Sequence, residues 1–411
     1  MANVSSSNGL EKRPKLRFPG FDEPWNESKL SACFAKNIKK NTDGRISNVI
    51  CNSAKMGLIP QRDYFDKDIA NSDNTSGYYI IEHNDFVYNP RKSSDAPYGP
   101  ISRYAYPDAG IVSPLYLCFR AKGDVDTNFF EWYFRSSAWH RYIYMTGDSG
   151  ARHDRVSIKD DDFFSMPIRF PSSIEQKKIA SFLNAIERRI SSQQLLVDNL
   201  KKYKRGLLRD IFSKLNVRQD KRKLKDVAVL FADGDWIESK DQAPEGIRLV
   251  QTGNVGFGVY LDKPQNAKYI SEATFHRLNC LEIYDGDILI SRLPEPAGRA
   301  CLLPQSTERR ITAVDCTVIR TDKSVIDRTY LLQFLCSDQY IKTVNSFLAG
   351  GTRQRISRKN LEGIEVPYPS IDQQRYYGSF LCKVDARISN EKNRLNCLSI
   401  LRSSLLQQLF I

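Results

Sequence analysis

The sequence has no run of 18 apolar residues, no C-x-x-C pair and only four histidines in 411 residues. The first absence argues against a membrane-spanning helix, and the opening MANVSSSNGLEKRPK lacks the apolar stretch of a secretory signal. The second removes zinc ribbons and fingers, and nine scattered cysteines fit reduced thiols in a cytosol better than a disulfide framework. His83, His140, His153 and His276 lie beyond helical reach of one another, so no histidine metal site is expected. A P-loop and a nucleophile elbow are missing as well. What is abundant is positive charge: 61 Lys+Arg against 48 Asp+Glu, a formal +13. That balance favours a polyanionic partner, nucleic acid ahead of a membrane surface. With 41% hydrophobic and 11% aromatic residues, the chain is globular and long enough for more than one core.

The chain also repeats itself. PSSIEQKKIASFLNAIERRIS at 171–191 lies over PSIDQQRYYGSFLCKVDARIS at 369–389, without a gap, at an offset of 198. Pro171/Pro369, Gln176/Gln374, Phe182/Phe380, Leu183/Leu381, Arg189/Arg387 and Leu207/Leu405 are among the identities. Upstream the match weakens, with GDSGARHDRVS facing AGGTRQRIS and VDTNFFEWYFRSS facing VIDRTYLLQFLCS. The chain is therefore two copies of one unit, a divergent domain followed by a closely similar helix.

Each helix opens on proline and carries one apolar seam at helical spacing. The expected seam is Ile179, Phe182, Ile186, Ile190, Leu200 and Leu207 in the first copy, and Phe380, Val384, Ile388, Leu398 and Leu405 in the second. A polar residue sits mid-seam in each, Gln193 and Glu391, with Arg189 or Arg387 four positions earlier, the kind of pairing that fixes coiled-coil register. The helices either pair with one another or pack separately, each on its own domain. If they pair, the compact domain joining the end of one to the start of the other requires an antiparallel arrangement. The expected fold is α+β: two similar mixed α/β domains joined by two long helices in an antiparallel coiled coil, a pseudo-twofold internal repeat. The boundaries read as a flexible tail 1–14, a first domain 15–170, a helix 171–215, a basic linker 216–225, a second domain 226–368 and a second helix 369–411.

Between the β-branched and aromatic runs of the divergent domains, loops collect polar donors. In the first domain these are Asn89, Arg91, Lys92, Ser93, Arg103, Arg152 and Arg155. In the second they are Gln251, Asn254, Arg292, Arg299, Arg353, Gln354 and Arg355. Arg with Asn or Gln on rigid loops is the inventory that reads guanine and adenine edges in a major groove, although a basic loop on a basic protein can equally be solvated surface. Residues 171–225 hold 15 Lys+Arg and 5 Asp+Glu, so +10 of the net charge sits on the first helix and its exit. This stretch suits phosphates or an acidic partner.

Two variable α/β domains, each followed by a helix opening P-x-x-x-x-Q-[KR], with RFPGFDEPW ahead of the first and GDILISR inside the second, resemble the specificity (S) subunit of type I restriction-modification systems. The resemblance covers nearly the whole chain. It implies that the variable domains are target recognition domains, each reading one half of a bipartite, asymmetric site in double-stranded DNA, with the coiled coil as a ruler. It also implies two N6-adenine methyltransferase subunits carrying S-adenosylmethionine, restriction and translocation subunits using ATP and Mg, and a cytoplasmic location without a membrane partner. QQRYYGSF in the second helix departs from KKIASF in the first, so the two docking faces differ. The chain itself is expected to hold no cofactor, no metal and no catalytic residue. NPRK at 89–92 has one proline where a base-holding [DNS]-P-P-[YFW] has two, TGNVGFG at 252–258 reads as a hairpin turn, and Asp285 and Asp287 read as a turn before a strand. The competing reading is a coiled-coil scaffold whose terminal domains bind proteins.

Overall fold

The computed structural model describes residues 13–64, 75–148, 154–348 and 354–411. The chain forms two compact units, Met1–Ser192 with Leu395–Ile411, and Gln193–Arg394. Structure is mixed helix and strand, and two helices far exceed the rest in length, Ser173–Arg218 and Ile371–Leu409. Among the described residues no helix is long and apolar enough to cross a membrane.

The P-x-x-x-x-Q motif is a lock at the entrance of each long helix. Gln176 Nε2 donates to the Pro171 carbonyl at 2.8 Å, and Gln374 Nε2 donates to the Pro369 carbonyl at 2.9 Å. The backbone N–H groups of the same glutamines close the first turn onto Ser172 and Ser370. Both glutamines are buried, so a residue unable to fold back would leave a carbonyl unsatisfied where water does not reach it.

Along the helices the buried line advances by alternate steps of four and three, through Ile179, Leu183, Gln193 and Val197 in one and Leu381, Ile388, Glu391 and Leu405 in the other. Of the expected seam, Ile179, Ile388 and Leu405 are buried and Ile186, Ile190, Leu200, Leu207, Val384 and Leu398 are half-buried. Phe182 and Phe380 face outward at 38% and 36% exposure. The Phe182 ring turns away from the line to meet Phe18 edge-on at 5.5 Å, and Leu183 takes its place inside.

The two long helices touch within each unit, and in the second their contacts run in opposite chain directions. In the first, Arg402 reaches Glu187 at 3.0 Å. In the second, Lys204 reaches Asp385 at 2.6 Å and Gln193 donates to the Glu391 carboxylate at 2.7 Å. Glu187 and Asp385 are equivalent positions of the repeat, as are Lys204 and Arg402, so the same bridge is built twice. Glu391 also meets Arg387 and Arg394 at 2.8 and 3.2 Å, and the Gln193 amide with these guanidinium groups holds its carboxyl below the usual range.

The first unit carries a four-stranded antiparallel sheet in the order Phe34–Lys36, Leu117–Ala121, Phe86–Tyr88, Ile101–Arg103. Its core is aromatic, with the Phe34 ring in edge contact with Phe86, Phe119, Phe130 and Phe134. The RFPGFDEPW segment serves this core: Trp25 is buried against Phe129, and Arg17 forms a two-pronged ion pair with Glu175, both contacts at 2.8 Å. Leu405, Leu409 and Phe410 complete it.

In the second unit the corresponding sheet runs Leu230–Asp233, Cys316–Arg320, Ile288–Ser291, Ala300–Leu302. A second, mixed sheet includes Ile247–Val250 paired in parallel with Arg310–Thr312. Residues 216–225, expected as a linker, are instead integrated structure. Lys221–Lys223 pairs antiparallel with Glu365–Pro367, as Asn26–Lys29 pairs with Pro167–Phe170. A strand needs only backbone groups for its ladder, so lysines can point to solvent while Leu224 and Val227 just beyond are buried.

One device recurs in both sheets despite unrelated flanking sequence. Asp85, fully buried at the start of a central strand, accepts two hydrogen bonds from Arg120 at 2.6 and 2.7 Å and the Glu82 N–H at 2.8 Å. Asp287 accepts the same set from Arg320 at 2.9 and 2.7 Å and from the Tyr284 N–H at 2.9 Å. The residue before each aspartate is left-handed, Asn84 at φ +72° and Gly286 at φ +88°. The turn expected at Asp285–Asp287 is thus present, and its carboxylate is spent on the fold.

Candidate nucleic-acid interface

Three loop segments converge at one place in each unit. In the first these are the hairpin Ile50–Ser53/Gly57–Pro60, the loop 89–99 and the segment 154–157. The Lys92 N–H donates to the Asp154 carbonyl at 2.8 Å and the Val156 N–H donates to the Pro90 carbonyl at 2.9 Å, which sets Arg91 and Arg155 side by side. In the second unit the partners are the hairpin 251–261, the loop 292–299 and the segment 354–356, with the Ile356 N–H on the Arg292 carbonyl at 3.3 Å.

A cleft of about 600 Å³ opens among the first set. It gathers Asn89, Arg91, Lys92, Ser93 and Arg155 of the expected donors, and adds Asn52 and Lys55, which the sequence reading did not single out. These side chains do different jobs. Asn52, 5% exposed, donates to the Val87 carbonyl at 2.8 Å and accepts from Ser102 Oγ at 2.7 Å. Asn89 donates to the Asn52 carbonyl and receives the Arg91 N–H, and Ser93 Oγ receives the Ala96 N–H. The asparagines and the serine are frame. The charged heads remain available: Arg91 and Lys55 are 68% and 75% exposed, with Asp154 and Asp95 no closer than 3.9 and 3.5 Å. Arg155 Nε is buried without a hydrogen-bond partner. Burial pushes the neighbouring Tyr116 hydroxyl up, and Arg155 and Arg91 oppose that shift. Arg103 lies outside the cleft, joined to Glu131 and Asn84 at 2.7 Å each.

In the second unit most of the expected donors are frame too. Gln251 and Asn254 cap the turn Thr252–Asn254 reciprocally, and TGNVGFG folds as a hairpin bridged at Val255 and Tyr260. Arg299 points inward: its Nε donates to Val255 O at 2.7 Å, Nη1 to Leu293 O at 2.8 Å and Pro296 O at 3.1 Å, and Nη2 to Thr252 O at 3.0 Å. Arg292, 6% exposed, lies 3.4 Å from Asp233 and 3.9 Å from Asp315. Arg355 stays outside at 61% exposure, 3.5 Å from Asp315, and Gln354 is exposed beside it. Arg152 and Arg353 lie outside the described residues. Among the described residues no three His, Cys, Asp or Glu side chains are grouped to hold a metal.

Residues 216–399 match the family model of the type I restriction modification DNA specificity domain. Two curated relatives, both from Methanocaldococcus jannaschii, are the type I restriction enzyme MjaVIII specificity subunit, 24% identical over 54% of this chain, and the putative MjaX specificity subunit, 21% identical over 68%. All comparisons meet in the specificity subunits of type I restriction-modification systems. The matched regions span 56% and 63% of those two relatives' lengths. Among solved structures, a chain from work on assembly and conformational transition of the type I R-M system aligns over 96% of this chain and 99% of its own, at TM-score 0.60 and 17% identity. The type I S subunit from M. genitalium aligns over 97% of this chain and 99% of its own, at TM-score 0.54 and 17% identity. At that identity they speak to the fold, which is that of an S subunit.

Proposed function

We propose that the chain is the DNA sequence-specificity subunit of a type I restriction-modification complex. Residues 15–170 and 226–368 act as target recognition domains, each reading one half of a bipartite, asymmetric site in double-stranded DNA. The observation that carries this reading is the repeated three-loop cluster, built twice from divergent sequence and displaying Arg91, Lys92 and Arg155 in one copy and Gln354 and Arg355 in the other. The two long helices, as an antiparallel coiled coil with a pseudo-twofold internal repeat, set the unread spacer and dock two N6-adenine methyltransferase subunits. Those partners bring S-adenosylmethionine, and restriction and translocation subunits bring ATP and Mg. On this reading the chain contributes no catalytic group and works in the cytoplasm.

Modified-base sequencing of host DNA with and without the gene gives the test. The gene should add N6-methyladenine at one split motif, and exchanging residues 15–170 for another member's domain should rewrite one half of that motif alone. A motif that changes in both halves, or methyl transfer by the purified chain without partners, defeats the proposal. Binding at two salt concentrations separates it from a protein-binding scaffold, because sequence reading survives salt better than phosphate contact alone.

A further inference from the structure

In each unit, several of the donors that serve as frame hold one hairpin in place. In the second unit, Arg299, Gln251 and Asn254 fix the hairpin whose tip is Phe257, and the Gly258 N–H is anchored to the Ala300 carbonyl at 2.8 Å. In the first, Asn52 and Asn89 fix the hairpin whose tip is Met56. The two tips correspond. Val49 bridges Ile111 in parallel just before one hairpin, and Val250 pairs with Thr312 in parallel just before the other. Each tip residue is followed by a left-handed glycine, Gly57 at φ +69° and Gly258 at φ +75°. Met56 is 60% exposed and Phe257 is 49% exposed.

A single exposed apolar side chain is ordinary. A large one at the same position of two divergent domains, on a tip held by buried polar groups, is not explained by folding, because neither core receives it. Solvated turns favour Asn, Asp, Gly and Ser. On a surface that reads DNA, an apolar group finds its match in the 5-methyl of thymine, the one apolar feature of the major-groove edge. About half of each side chain is already covered, which leaves a contact face rather than a blade long enough to part stacked bases.

We propose that Met56 and Phe257 are matched specificity contacts, each laid against a thymine methyl in its own half-site. The inference rests on the DNA-reading function proposed above. The test uses the chain assembled with its methyltransferase subunits and duplexes carrying the motif found by modified-base sequencing. Each thymine of the second half-site is replaced in turn by deoxyuridine, which removes only the methyl. One replacement should weaken binding by the wild-type complex about fourfold, the worth of one buried carbon. Phe257→Ala should bind the thymine duplex more weakly and ignore that replacement, and Phe257→Leu should fall between. Met56→Ala should behave likewise in the first half-site. A uracil penalty unchanged by Phe257→Ala, an equal loss on both duplexes, or a half-site without any A·T pair overturns the inference. A wild-type complex that does not prefer its motif removes the DNA-reading function, and this inference with it.

Discussion

Arg299 is where loop chemistry and loop geometry disagree most, and replacing it separates them. Its guanidinium makes four hydrogen bonds to backbone carbonyls, at 2.7, 2.8, 3.0 and 3.1 Å. Bonds from a charged donor are worth roughly 1.5–3 kcal/mol each, so the set has a ceiling near 6–12 kcal/mol. The side chain is only half-buried, and several of the released carbonyls would regain water, so the expected loss for Arg299→Ala is about 2–4 kcal/mol. For a unit of this size that corresponds to a fall in Tm of roughly 4–16 °C. Arg299→Lys keeps the charge but reaches one or two of the four carbonyls, and should lose about half as much. Hydrogen exchange locates the damage: the amides of Gly256, Gly258 and Leu261, bonded to Val259, Ala300 and Asn254, should lose protection first. In the assembled complex, discrimination should blur across the second half-site and stay sharp in the first. If Arg299→Ala keeps its stability and hairpin protection yet loses preference at a single base pair, the residue reads that base and the clamp assignment is wrong.

Other outcomes follow from the same geometry. Asp85→Ala should cost about 2–3 kcal/mol in urea titrations, below the usual range for breaking a buried ion pair because Arg120 is 47% exposed and can rehydrate. Asp287→Ala should match it, and a shift under about 0.5 kcal/mol in both would deny the pair its structural role. Arg91→Ala or Arg155→Ala should weaken DNA binding by about 1–3 kcal/mol and relax one position of the first half-site, whereas uniform loss over all sequences would reassign that residue to phosphate. Truncation after Arg402 removes Leu405, Leu409 and Phe410 from the core of the first unit, so limited proteolysis should digest residues 13–192 while sparing 193–394. Equal resistance of both regions would contradict that packing.

Much of this was legible in the sequence, for identifiable reasons. The long helices were, because their seam repeats at an offset of 198 and a helical face has a period that survives divergence. The mid-seam pair Gln193 and Glu391 was visible as two polar letters in an apolar stripe. Phe182 and Phe380 were misplaced because large aromatic residues near a seam read as buried, and only the fold supplies the Phe18 edge that draws one outward. The likeness of the two sheets was not legible. Asp85 finds Arg120 and Asp287 finds Arg320 across 35 and 33 residues of unlike sequence. The loops that carry polar donors are visible between the strand-forming runs, but free and committed donors could not be told apart. The groups that accept from Arg299 and Asn52 are backbone carbonyls, which every residue has and no letter marks.

The placement of residues 395–411 in the first unit bears on how the protein is made. A ribosome delivers the first unit's sheet early, but Leu405, Leu409 and Phe410, which close its core, emerge only after all of Gln193–Arg394 has been synthesised. The second unit, contiguous in the chain, therefore reaches its complete set of contacts first, the reverse of the usual N-to-C order. Until then the nascent chain carries an open aromatic core around Trp25 and Phe129, and that exposed surface is what a chaperone on the ribosome would meet.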